Sequence, residues 1–255
     1  MKWSLPKHYN RRIARAIAEF DLIDDGDKIL VGFSGGKDSA FLVYALSVLQ
    51  EYLGYDFDLR VLTVDLGFDE QADHTKLKQF CDKLNVNYDI KKTEIATSVM
   101  KANQPCAKCS YFRKGVMTNY CQEQGFNKIA FGHHYDDAVE TFLMSILYSG
   151  QIKTFRPNTY LSESEVNVIR PLVYIREKEI VTAKNIMDYE PVESPCPYDG
   201  DTKREEIKEL IQSFSDKKQI FYNLVAAMRE GNEIELWPEE VSREKLKEKV
   251  NNLWQ

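Results

Sequence analysis

Lys28-Ile29-Leu30-Val31-Gly32-Phe33-Ser34-Gly35-Gly36-Lys37-Asp38-Ser39 is the stretch that decides how this chain is read, because three local patterns follow one another within it. Lys28 to Phe33 is an apolar run of strand length. It stops at a Ser-Gly-Gly turn, and from Ser39 the apolar residues return as a helical pattern, Ala40 to Leu49. Strand, glycine turn and helix in succession make a cradle for phosphate. Gly35 and Gly36 carry no Cβ, so backbone N–H groups can close on an anion. Ser34 and Ser39 add hydroxyl donors, and the helix N-terminus adds a favourable dipole. The loop is not a Walker A motif, which needs Lys followed directly by Ser or Thr. Here Asp38 stands between Lys37 and Ser39.

Outward from this loop the chain alternates. Helices are predicted over Lys7 to Phe20, Ser39 to Leu53, Glu70 to Leu84, Pro105 to Gln124, Asp136 to Tyr148 and Arg176 to Tyr189. Strands are predicted over Lys28 to Phe33, Leu59 to Val64, Tyr88 to Lys92 and Lys128 to Phe131. This alternation predicts an α/β fold, a doubly wound parallel sheet with helices on both faces, with an N-terminal helix before it and a C-terminal helical region after it. A phosphate loop at the carboxyl end of the first strand stands where open sheets of this kind place their ligand. Beyond Gly150, Phe155 to Leu161 and Val166 to Ile169 read as short strands around the polar turn Ser162 to Glu165, and Pro191, Pro195 and Pro197 break the chain before further helix. The tail, Glu239 to Trp254, carries Val241, Leu246, Val250 and Leu253 at loose helical spacing. It is expected to dock on the domain, with a homodimer contact as the alternative.

The 255 residues carry a net charge of −6, which excludes a protein that is basic all over and binds nucleic acid by charge alone. A local basic face is not excluded. Lys2, Lys7, Arg11, Arg12 and Arg15 stand against the single acid Glu19, with Ile13, Ala16, Ile17 and Phe20 at helical spacing on the other side. No apolar run approaches the roughly 20 residues needed to span a bilayer. The N-terminus lacks the apolar core of a signal peptide, so no membrane association and a cytoplasmic location are expected. Five cysteines do not suit a fully paired disulfide framework and point to reduced thiols kept for metal or redox chemistry.

Two further constellations carry chemistry. Gly132-His133-His134-Tyr135-Asp136-Asp137-Ala138-Val139-Glu140-Thr141 lies where a strand ends and a helix begins. Carboxylates beside a phosphate loop suit a Mg²⁺–ATP site, since Mg²⁺ prefers oxygen ligands shared between protein and phosphate. Asp137, with Asp38 across the sheet, is the expected Mg²⁺ pair. Gly132 is expected to leave room for the nucleotide, and His133 and His134 to contact it or to stabilise the loop. The second constellation is Cys106-Ala107-Lys108-Cys109, with Cys196 in Ser194-Pro195-Cys196-Pro197. A CxxC at a helix start favours thiolates for metal binding or disulfide exchange. A closed zinc site wants four ligands, whereas three thiolates on a cubane leave one iron with an open position. Cys81 and Cys121 fall on apolar helix faces and read as buried packing.

These blocks, together with Arg113, Tyr148-Ser149-Gly150 and Ile169-Arg170-Pro171-Leu172 running on to Lys178, occur in an order that resembles the TtcA-like tRNA 2-thiocytidine synthetases. That family lies within the PP-loop ATP pyrophosphatase superfamily, and the resemblance covers about residues 7 to 200. It implies an ATP-dependent tRNA sulfurtransferase that forms AMP and pyrophosphate, with a PP-loop domain over 26–190. An N-terminal basic helical segment over 1–25 and a third-cysteine loop with helices over 191–255 complete the expected organisation. ATP would be bound by Ser34, Gly35, Gly36, Lys37, Asp38, Ser39, Gly132, His133 and Asp137. A [4Fe-4S] cluster would sit on Cys106, Cys109 and Cys196. Asp38, Asp137 and the three cysteines would be the catalytic set, and tRNA would meet Lys7, Arg11, Arg12, Arg15 and Arg113. Sulfur would come from a cysteine desulfurase or free sulfide. The alternatives are a PP-loop thiolase acting on another tRNA base or on a small molecule, and a nucleotide-binding redox sensor.

Overall fold

The computed structural model describes residues 3–68, 73–100, 102–198, 203–214, 218–231 and 240–253. Its centre is a six-stranded sheet in the order β3-β2-β1-β4-β6-β5. β1 (Lys28–Gly32) pairs in parallel with β2 (Asp58–Asp65) on one side and β4 (Lys128–Ala130) on the other. β3 (Asn87–Lys92) extends one edge in parallel, and β6 (Val166–Ile169) extends the other. β5 (Asn158–Leu161) closes that second edge antiparallel to β6. The apolar triplet Ile29-Leu30-Val31 is wholly buried, as a central strand covered on both faces must be.

The path of the chain sets the site. It runs from β1 outward through β2 to β3, then returns to lay β4 against the opposite side of β1. The reversal opens a crevice beyond the carboxyl ends of β1 and β4. Two helices begin there, α2 (Lys37–Leu49) after β1 and α6 (Tyr135–Ser149) after β4. α2 is apolar nearly all round because it is enclosed, packed between the sheet and α7 (Glu177–Met187). α1 (Lys7–Glu19) inserts Tyr9, Ile13, Ala16 and Ile17 into the same core, and Tyr9 Oη donates to the Glu179 carbonyl at 2.7 Å. Beneath the crevice a buried Lys128 ammonium meets Asp27 at 2.6 Å and Asp24 at 2.9 Å.

α3 (Thr75–Lys83) starts later than its pattern suggested, and residues 70–72 of that expected helix lie outside the described residues. A short α4 (Ile95–Val99) leads into α5 (Pro105–Gln124), which has the expected bounds. α8 (Lys203–Ser213), α9 (Lys218–Ala227) and α10 (Arg243–Leu253) complete the chain. α10 corrects one expectation, for Val241, Leu246 and Val250 are all exposed instead of docked. Apolar residues so widely spaced among Lys and Glu do not form a stripe broad enough to hold a helix on the domain. Among the described residues no helix is long and apolar enough to cross a membrane.

Candidate ATP and thiol site

The phosphate loop is held by its own hydroxyls. Ser39 Oγ donates to the Gly36 carbonyl at 3.0 Å, receives the Ser34 N–H at 3.2 Å and lies 3.1 Å from Ser34 Oγ. Gly35 sits in the left-handed region, φ +86°, where glycine carries no steric penalty. Its carbonyl accepts from Val192 N at 3.0 Å and Tyr189 Oη at 2.8 Å. Gly132, in the cavity wall, also lets two elements meet. A Cβ there would lie 2.9 Å from the Asp38 carbonyl carbon and oxygen. The missing side chain therefore admits the Asp38 peptide, drawing the exit of β4 against the start of α2.

The two adjacent aspartates separate cleanly. Asp136 is structural: it takes a bidentate hold from Arg176, with Nη2 to Oδ1 at 2.8 Å, and accepts the Glu177 N–H at 2.7 Å. Asp137 lines the cavity and forms a reciprocal cap with His134, accepting its N–H at 2.8 Å while the Asp137 N–H donates to His134 Nδ1 at 3.3 Å. Asp38 Oδ2 meets Lys37 Nζ at 3.0 Å, but its buried Oδ1 has no hydrogen-bond partner among the described residues. An orphaned carboxylate oxygen beside a phosphate loop fits a cation. His133 packs between Phe131 and Phe155. Burial drives its pKa down to about 4, so the ring is neutral, and its Nδ1 is likewise buried without a partner.

Ion pairs reach this site from later in the chain. Glu177 bridges Lys37 at 3.0 Å and Lys208 of α8 at 2.9 Å. Burial raises its pKa, but the two ammonium groups outweigh burial and hold it at about 2. Arg204, also on α8, spans Asp137 at 3.1 Å and the buried Glu140 at 2.9 Å. Sequence reasoning missed Glu177 and Arg204 because their partners are far away along the chain.

A cavity of about 460 Å³ joins these parts, with Ser34, Asp38, Ser39, Gly132, His133 and Asp137 in its wall. Gly35, Gly36 and Lys37 are not part of that wall. Asp65 and His74, paired at 3.0 Å, form another stretch of it. They too went unread, although Asp65 ends β2, where open sheets place ligand contacts. Arg113 and Cys196 complete the mouth.

Cys106 is exposed, and Cys109 and Cys196 are half-buried; all three are free thiols. Burial pushes the Cys109 thiol up, Arg113 pulls it down, and the neighbouring Cys196 and Cys106 push it up again. Cys106 and Cys196 are thus both near enough to Cys109 for their charge to act on it. Among the described residues no three His, Cys, Asp or Glu side chains close on a single metal ion. Three thiols are one short of a closed zinc set, and they match a group that leaves one metal position without a protein ligand. Cys81 and Cys121 are fully buried and pushed up to about 12, which bears out their reading as packing.

The basic residues divide. Arg12 pairs with Glu179, and Arg15 pairs with Glu19 at 3.0 Å while lying over the Tyr174 ring. Lys7 and Arg11 are exposed on α1, remote in the sequence from Arg113 at the cavity.

The fold and this loop define a class, and residues 5–213 match the PP-loop domain model. Curated relatives narrow it. The chain is 36% identical over 220 residues to tRNA-cytidine(32) 2-sulfurtransferase 2 of Francisella tularensis subsp. tularensis, covering 82% of this chain and 84% of that one. It is equally similar, at 36% over 220 residues, to tRNA-cytidine(32) 2-sulfurtransferase 1 of Francisella philomiragia, with 82% of both chains covered. The chain belongs to the family of PP-loop tRNA-cytidine 2-sulfurtransferases. Among solved structures, the U34-tRNA thiolase NcsA from Methanococcus maripaludis with its [4Fe-4S] cluster superposes with a TM-score of 0.68. At 21% identity, covering 86% of this chain and 77% of that one, this likeness shows the shared fold.

Proposed function

We propose that this protein is an ATP-dependent tRNA sulfurtransferase that adenylates the C2 carbonyl of a cytidine and replaces its oxygen with sulfur. The observation that carries this reading is the shared chamber: the phosphate loop and Cys196 open into one cavity, with Cys109 in electrostatic contact with Cys196. A two-step exchange needs that proximity, because an adenylate that leaves its site is lost to water. The relatives' names supply the substrate class.

ATP's phosphates lie against the loop N–H groups and the Ser34 and Ser39 hydroxyls at the N-terminus of α2. Asp38 and Asp137 would hold Mg²⁺, which would offset charge on the departing pyrophosphate. Glu177 fixes Lys37 beside Asp38 at the edge of the loop. The base oxygen attacks the α phosphorus, the bond to pyrophosphate breaks, and AMP remains on the base. A hydrosulfide from free sulfide or a cysteine desulfurase then adds at C2, releases its proton to water, and AMP departs with the original oxygen. Cys106, Cys109 and Cys196 would hold a [4Fe-4S] cluster, which when bound would supply a site for sulfur. Anaerobic incubation of cluster-loaded protein with ATP, sulfide and unmodified tRNA tests this. AMP, pyrophosphate and 2-thiocytidine are expected in equal amounts, and ADP as the main product, or no thiolated cytidine, overturns it.

A further inference from the structure

Helix α5 carries the CxxC in its first turns and, directly after it, two large aromatic side chains that the fold leaves in solvent. Tyr111 is 75% exposed and Phe112 is 40% exposed, with ring centroids 5.7 Å apart and planes at 68°. At 3.6 residues per turn, Cys106, Cys109 and Arg113 share one side of the helix, Lys108 and Tyr111 lie on the opposite side, and Phe112 sits on the flank between Lys108 and Cys109. Lys114, three residues after Tyr111, flanks that outer side.

The charge around these rings has one sign. Lys108, Arg113 and Lys114 are exposed, no ion pair with a carboxylate forms at any of them among the described residues, and the first acid on α5 is Glu123. On α1, by contrast, Arg12 and Arg15 are already engaged by Glu179 and Glu19. A protein-docking spot concentrates apolar surface and sheds Lys. Aromatic faces interleaved with available cations are instead what a single-stranded nucleic acid requires, since bases stack on rings while phosphates meet ammonium and guanidinium groups.

We propose that the outer face of α5, centred on Tyr111, is the stacking platform for unpaired nucleotides of the RNA substrate. The strand crosses this helix, about 10 Å thick, and delivers the reacting base to the cysteine side. This rests on the tRNA reading above and assigns the recognition surface within it.

The test uses cluster-loaded full-length protein and an unmodified tRNA transcript. It compares wild type, Tyr111→Ala, Tyr111→Phe and a Lys108→Ala/Lys114→Ala double variant in tRNA binding against salt, thiolation kinetics and RNA-free ATP binding. Tyr111→Ala should raise the KM for tRNA about tenfold, the scale of one lost base stack, and Tyr111→Phe should restore it. The double variant should flatten the salt slope of log K by roughly 1.4, at about 0.7 per phosphate contact. ATP binding and the visible absorption of the cluster should stay as in wild type throughout. A wild-type KM in Tyr111→Ala, or equal losses in the Ala and Phe variants, overturns the platform. Normal tRNA binding with slowed sulfur delivery from a desulfurase assigns the face to a protein and also overturns it. A wild-type protein that neither binds nor thiolates tRNA fails at the RNA reading itself, and the platform falls with it.

Discussion

His133 sits at the junction of the phosphate site and the sheet, and its surroundings fix its protonation state. An unfolded chain takes up this proton near 6.5 and the folded chain near 4, so between those values the unfolded state binds more protons. Folding is therefore penalised as pH falls from about 6.5, and the penalty is complete near 4. Replacing the ring by a group that does not titrate, His133→Asn, should flatten the dependence of the urea midpoint on pH across that window. An unchanged slope would show that the ring is charged in the folded protein. Much at this scale was legible. The run Ser34 to Ser39 announced a phosphate loop because glycine, hydroxyl and helix start are local chemistry. The arginine partners of Asp136 and Asp137 were not legible, because only the fold brings Arg176 and Arg204 near them. The close approach of the Asp38 peptide to Gly132 was not legible either, since that peptide belongs to another strand-helix unit.

Among the elements, α8 is fastened to the site by charge more than by apolar burial, for Ile207 is its one fully buried residue. Arg204 leaves 37% of its side chain exposed and Glu140 only 5%. Removing the guanidinium strands a buried carboxylate whose pKa burial already raises. Arg204→Ala should thus cost roughly 2–3 kcal/mol in urea unfolding, somewhat below the loss for a fully buried pair. Adding Glu140→Gln should recover part of it, and a cost below about 0.5 kcal/mol would place Arg204 with ordinary surface pairs. Helices and strands of the first half were legible because their apolar periods are strong and their turns are marked. The exposure of α10 was not, since loose spacing fits a docked and an undocked helix equally well. Nor was the pairing of Arg12, because its partner Glu179 lies at the start of α7.

For the whole molecule, the sheet's parallel character followed from the alternation of elements, but the strand order did not. Sequence alternation alone leaves open which side of β1 receives β4, and that choice decides that Asp38 and Asp137 share a cavity. The thiol trio has the same long-range origin. If it holds a cubane, anaerobic protein should contain about four irons per chain. Cys106→Ala, Cys109→Ala and Cys196→Ala should each lose them, while Cys81→Ala and Cys121→Ala keep them, as read by iron and sulfide analysis. The Gly35 carbonyl is a final case, for the two bonds that shape it come from Tyr189 and Val192, more than 150 positions later. During translation the early residues of the phosphate loop thus emerge long before the groups that set its shape. Nascent chains that stop short of this point carry the nucleotide motif without its finished form. The next few residues to be added include Cys196, so the finished phosphate loop and the third thiol arrive in the same moment of synthesis.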